Sequence, residues 1–509
     1  MPIRLRYSTI VNYGSMLYRL LVAVGFVVII ARKLSVKEFG LWGIIFSLTS
    51  MFIPFTSFWN TWMQRFFARG NKASSGTALV LTLIYSCLAS LIYVEIAYFE
   101  SLILGWGFQY LLLGIPLLFL RIFESYVASL SNIVKPELIG YKGFIYDSLR
   151  LILAYVLLVA LNMRLLGALL SVQIALLISI AYTLLILLKT KSIVLVFSKD
   201  LIKQWLKGFY VPALAALQGF LKGGLRAIVS WVSGSEVTVA FLNVGFASEA
   251  PMLRASQSVT PALYARALRR PRVHDLEEAL RLFMLFSGFM FVSFSVLSKT
   301  IASLYNPVYV SAHIIIPIVT LYAIITGFVN IYATFISGST RVDAEGIRSV
   351  REILFSPLFK LPLIRLLSIV FSYAMLIPLV LIVRGDHLLE ALMVSLALIV
   401  GSVIVFPYLR YELKRLGSSI FPWKEFARIS VASLASGVYY VLSGAWGITV
   451  ASFWRDAPVL GFHIVVAALI YFGALYILSP WLRGLIRSGL KYILKDVLKK
   501  FKREPYIKQ

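Results

Sequence analysis

The sequence predicts an all-α polytopic membrane protein of about 14 transmembrane helices. They form two six-helix lobes in a parallel, pseudo-two-fold repeat, plus two extra helices, with both termini cytoplasmic. Three observations carry this prediction. The chain of 509 residues is 60% hydrophobic and only 14% charged, where a soluble chain is about 45–50% apolar and about 25% charged. Its apolar segments match the length of about 20 residues that a helix needs to cross the hydrocarbon core. Its basic residues fall almost wholly on one side of the resulting map.

The spans lie near 9–31, 41–64, 76–97, 108–132, 143–161 and 165–188, then 206–232, 237–263, 279–297, 312–337, 363–383 and 388–408, and last 427–446 and 458–479. The first has the basic start of a signal peptide, at Arg4 and Arg6. It runs on to Arg32 and Lys33 without a small-residue cleavage site, so it reads as a retained span. The segment 237–263 is the least apolar, because it carries Glu249, Arg254, Pro251 and Pro261.

Alternate connections hold 36 Lys and Arg on one side, from Arg4 to the C-terminal tail, against 7 on the other. The positive-inside rule makes the richer side cytoplasmic. The net charge of +27 is therefore topology and contact with anionic membrane lipids, and nucleic acid is not a partner. From Trp481 to Phe501 apolar residues recur at three- and four-residue spacing, as on a helix lying along the inner leaflet. The stretch Ile193–Phe209 is a second such segment.

Six even spans on each side of Lys189–Lys207 give the parallel repeat known from transporters. The domains are an N-lobe at 1–204, a C-lobe at 205–411, and a third part at 412–509 with spans 13 and 14 and the basic tail.

Six cations remain inside spans: Arg19, Arg121, Arg150, Lys222, Arg226 and Arg254. Each costs about 2.5–3.5 kcal/mol at a helix centre. Together that is on the order of 15–20 kcal/mol, more than the usual stability of about 5–15 kcal/mol. They must pair, snorkel or line a water-filled cavity. Arg121 with Glu124 and Asp147 with Arg150 have helical i,i+3 spacing, and Glu249 could serve Arg254, though five residues apart is a poor intrahelical spacing. Snorkelling is the competing role for Asp147, Arg150 and Arg226. Arg19, Arg121, Lys222, Arg226 and Arg254 are the candidate cationic, substrate-binding residues of one lumen. Their net charge points to an anionic group such as a phosphate, a diphosphate or an acidic sugar. Glu124, Asp147 and Glu249 are candidates for ion coupling. Pro and Gly interrupt several spans, among them Gly223-Gly224, Pro251 and Pro261, which suits helices that line a cavity.

The chain has no GxxxxGK[ST] phosphate loop and no Asp-x-Asp pair for a cation-held nucleotide. One Cys and four scattered His leave no metal site and no Cys–His pair. No cofactor and no catalytic residue is expected.

The sequence resembles the Wzx-type polysaccharide flippases of the multidrug/oligosaccharidyl-lipid/polysaccharide exporter superfamily. The resemblance lies in Asn12-Tyr-Gly-Ser15, the turn Leu34-Ser-Val-Lys-Glu-Phe-Gly40, the segment Leu304 to Ala312, the connection Pro136–Gly143 and Gly167. It implies a plasma-membrane transporter that moves an isoprenoid-diphosphate-linked oligosaccharide from the cytoplasmic to the outer leaflet by alternating access. Glycan-assembly proteins are then candidate partners. A cation-coupled drug exporter, an intramembrane enzyme of cell-envelope glycan assembly and a non-transporting scaffold are the alternatives.

Overall fold

The computed structural model describes residues 18, 22, 25–68, 70–135, 137–207, 209–269, 271–340, 350–416 and 421–487. All regular structure among them is helical. The amphipathic tail expected beyond 487, and most of the first span, lie outside the described residues.

Helix α1 covers 25–33 of the first span. Then follow α2 (Val36–Phe67), α3 (Ala73–Leu104), α4 (Phe108–Val134), α5 (Glu137–Ala160) and α6 (Arg164–Lys189). A short helix, Lys199–Lys207, bridges to α7, which is made of Tyr210–Gly223 and Leu225–Ser233. Helix α8 is likewise in two pieces, Glu236–Phe246 and Glu249–Arg269. The rest are α9 (Val273–Val296), α10 (Pro307–Ser339), α11 (Pro357–Ile382), α12 (His387–Arg415), α13 (Trp423–Leu442) and α14 (Phe453–Leu478). Ten helices among the described residues are long and apolar enough to cross a membrane. Among the described residues, helices lie in each expected segment from 41–64 onward and in the last part of the first.

Turn chemistry explains where several helices begin. In the turn before α2, Ser35 accepts a hydrogen bond from the Glu38 amide at 3.2 Å, and Glu38 accepts from the Ser35 amide at 2.9 Å. This is a reciprocal capping box, which satisfies two of the amides a helix start leaves open. Ser235 caps α8 through the Val237 amide, and Asp386 caps α12 through the amides of Leu388 and Leu389. The turns before α2 and α8 are thus alike: each places a serine cap before a helix.

Helices α2, α4, α5 and α6 pack on one another, and α8, α10, α11 and α12 form a corresponding group. Helices α13 and α14 pair at the edge, where α13 meets α9. The groups join where α2 lies against α7 and α8. Glycines permit that approach. A Cβ on Gly40 would stand 1.9 Å from the carbonyl oxygen of Glu236, and one on Gly223 would stand 2.7 Å from that of Ser50. Ser47 fixes the contact by donating to the Gly223 carbonyl at 2.7 Å and accepting from the Ala227 amide at 3.2 Å.

Candidate functional site: two charged cavities either side of one helix

Two cavities are lined by Arg121, Glu124 and Arg150 and by Lys222, Arg226 and Glu249 respectively. The first has a volume of about 280 Å³ and lies among α2, α4, α5 and α6. The second, of about 120 Å³, lies among α7, α8, α10, α11 and α12. The pairs α2/α8, α4/α10, α5/α11 and α6/α12 are each six positions apart, so the cavities occupy equivalent places in the two halves.

In the first cavity Arg121 donates from Nη1 to Thr49 Oγ1 at 3.0 Å, to Ser50 Oγ at 2.9 Å and to the Phe46 carbonyl at 3.3 Å. Glu124 pairs with Lys142 of the next helix at 2.5 Å. This corrects the spacing argument that gave Glu124 to Arg121. The guanidinium lies over the Phe46 ring instead, because α2 presents three oxygens on that side. Asp147 and Arg150 form the expected pair at 2.7 Å, and Arg150 stacks on Phe26 with its carbon 4.2 Å from the ring centre. Arg121, Lys142 and Arg150 against Glu124 and Asp147 leave a formal charge of +1 here.

In the second cavity the breaks in α7 and α8 lie beside the charges. Helix α7 is interrupted at Gly224, between Lys222 and Arg226, and α8 at Ala247–Ser248, directly before Glu249. Broken helices of this kind are tolerated at membrane depth where they line a cavity. Arg226 donates from Nε to Asn243 Oδ1 at 2.6 Å and covers the Phe246 ring. Glu249 lies within electrostatic reach of both Lys222 and Arg226. Sequence spacing had offered it to Arg254. Arg365 joins the cavity from α11, donating to the Val329 carbonyl at 3.0 Å and to Asn330 Oδ1 at 3.1 Å. Lys222, Arg226 and Arg365 against Glu249 give +2.

The five cations expected in one lumen are therefore not all brought together. Lys222 and Arg226 share the second cavity, and Arg121 lies in the first. Helix α2 stands between them, with Thr49 and Ser50 turned to Arg121 and Ser47 turned to α7. Arg254 is exposed on α8 and lines neither cavity. Arg19 lies outside the described residues. Sequence reasoning assigned Lys142 and Arg365 to cytoplasmic connections. Both are on helices that begin earlier than the apolar windows, at Glu137 and Pro357.

A seal closes one end of the bundle between the two halves. Arg32 donates to the carbonyls of Leu304 at 3.0 Å, Ser303 at 3.3 Å, Val450 at 2.7 Å and Ala451 at 2.9 Å. Glu100 of α3 accepts from Ser230 Oγ and Trp231 Nε1 of α7. Lys37 stands 3.8 Å from the buried Glu236. Glu100 and the buried Glu390, which accepts from Thr238 Oγ1, add two acids to the three recognised from sequence. The partners of Glu100 are more than a hundred residues away and leave no local signal, whereas Glu390 also accepts from the Gly385 amide at 2.9 Å and stands 3.4 Å from His387 Nδ1. Among the described residues no group of three or more His, Cys, Asp and Glu is placed to hold a metal ion.

The fold is that of transporters of known structure. An inward-facing multidrug resistance MATE family transporter of the MOP superfamily superposes with a TM-score of 0.58 at 13% identity, over 78% of this chain and 95% of that one. The lipid II flippase MurJ, in an inward closed conformation, superposes with a TM-score of 0.58 at 16% identity, over 94% of this chain and 100% of that one. An outward-facing MATE transporter gives 0.52 at 16% identity, over 81% and 94%. At these identities the likeness is one of fold. No family model and no curated protein matches the sequence.

Proposed function

We propose that this multi-pass membrane protein is a transporter that flips an anionic isoprenoid-diphosphate-linked oligosaccharide from the cytoplasmic to the outer leaflet. The observation that carries the reading is the second cavity, where Lys222, Arg226 and Arg365 outnumber Glu249 inside a transporter fold. An intramembrane cation is costly unless a counter-charge or water meets it, and an anionic headgroup supplies that counter-charge. The lipid tail stays in the bilayer while the cavity replaces the headgroup's water. The seal around Arg32 and the close contact of Gly40 with Glu236 fit a state closed to the outer side. Opening there would expose the cargo to the other leaflet. The Wzx-type motifs around Leu34–Gly40 favour this substrate over a drug cation, which an acid-dominated cavity would suit better. The chain holds no ATP-binding loop, so the drive would come from an ion gradient or from consumption of the product, with Glu249, Glu124 and Asp147 as candidate coupling acids.

Mass spectrometry of lipid that copurifies with the intact protein tests the assignment. A phosphorylated isoprenoid bearing sugar supports it. Retention of ordinary phospholipid alone, with added lipid-linked sugar neither bound nor moved in liposomes, contradicts it.

A further inference from the structure

The cavity around Lys222 continues into a larger chamber of about 610 Å³. Gln218, Asn330 and Arg365 line both. The two chambers differ in chemistry. The first is basic. The second is lined by Ser256, Gln257 and Thr260 of α8 and by Thr334 and Ser337 of α10. Arg365, at the junction, is the one charged residue among the described residues that line it.

This accounts for the low hydropathy of α8. Ser256, Gln257, Thr260 and Tyr264 recur at helical spacing and face the same chamber. A polar face of this kind is stable at membrane depth where it lines a protein cavity. Hydroxyl and amide side chains offer donors and acceptors together, which matches the hydroxyls and amides of a sugar. Beyond Arg365 at the junction they offer no cation to a carboxylate, and an unpaired charge in such a site is costly. The volume lies in the range of about 300–1,000 Å³ usual for ligand sites.

Resting on the anionic-cargo reading above, we propose that the headgroup is read in two parts. Phosphate sits in the chamber of Lys222 and Arg226. An uncharged glycan sits in the chamber of Gln257 and Thr260, and Arg365 marks the joint. The cargo class is thus a phosphate-linked glycan whose first sugars are neutral.

The test titrates the purified full-length protein with three probes: farnesyl diphosphate, farnesyl-diphosphate-linked diacetylchitobiose, and the same carrier with a hexuronic acid as its second sugar. The neutral disaccharide should bind about tenfold tighter than farnesyl diphosphate, and the acidic one should lose most of that gain. Gln257→Leu combined with Thr260→Val should remove the gain and leave farnesyl diphosphate binding unchanged. Lys222→Gln should weaken all three probes. Equal binding of the neutral and acidic carriers, or a full gain in the double variant, overturns the two-part reading and leaves the anionic cargo standing. If Lys222→Gln changes none of the three, the anionic-cargo reading falls with it.

Discussion

Lys142 Nζ lies 2.5 Å from Glu124 Oε1, so the acid of α4 is held from α5 and not by Arg121 on its own helix. Breaking a buried ion pair from one side leaves the other charge without its partner. Glu124 is 34% exposed, so the cost is smaller than for a fully buried pair, on the order of 1–2 kcal/mol. Lys142→Met should lower the thermal stability of the purified protein, and Lys142→Met with Glu124→Leu should recover most of it. Arg121→Met should cost less than Lys142→Met. Additive losses in the two-residue cycle would show that the pair contributes nothing.

The approach of α2 to α8 depends on the missing side chain at Gly40. A valine there meets backbone at Glu236, which cannot swing aside as a long side chain would. Gly40→Val should hold the two halves apart at this end and slow transport at least about tenfold, by shifting the population away from the sealed state. In a Cys87→Ser background, a cysteine at the buried Ser303 should then react with an impermeant reagent much faster than it does beside Gly40. Unchanged labelling and unchanged transport would show that the contact is not a gate.

Glu249 opposes Lys222 and Arg226 in the second cavity. Glu249→Gln raises the local formal charge from +2 to +3, so it should tighten binding of farnesyl diphosphate, by about tenfold at short range in a protein interior. If Glu249 also couples an ion, the same variant should remove the dependence of flipping on pH or cation. Weaker binding in Glu249→Gln would mean that the acid shapes the site and does not merely offset its charge.

The long helices among the described residues were legible because membrane helices are written in long apolar runs, and the charge asymmetry gives the expected orientation. Cysteines at Lys37, Lys299 and Arg455 should accordingly be labelled from outside intact cells, and one at Lys199 should not. Labelling at Lys199 from outside would overturn the map. The site was legible only in part. Lys222 and Arg226 stand out because they interrupt an apolar run on one helix face. Lys142 does not, since it lies in the first turns of a helix whose start, from Glu137, is partly polar and reads as loop; Arg365 does not, since it lies at the very edge of its apolar window and counts with the connection before it. The partner of Glu124 is 18 residues away and those of Glu100 are 130 and 131 away. Local spacing cannot see such pairs, because tertiary packing alone decides them. The same packing put Arg121 and Arg226 on opposite sides of α2, where spacing had suggested one lumen.

The central claim is that the cations of the second cavity neutralise the headgroup of a lipid-linked glycan during transfer. Its most direct test is flipping of a fluorescent short-chain isoprenyl-diphosphate disaccharide in liposomes, comparing the wild type with Lys222→Gln at equal inserted protein. Losing one charge-assisted contact, about 1.5–3 kcal/mol, should slow transfer by at least about tenfold, and Lys222→Arg should retain part of the activity. Transfer by Lys222→Gln at the wild-type rate would contradict the account.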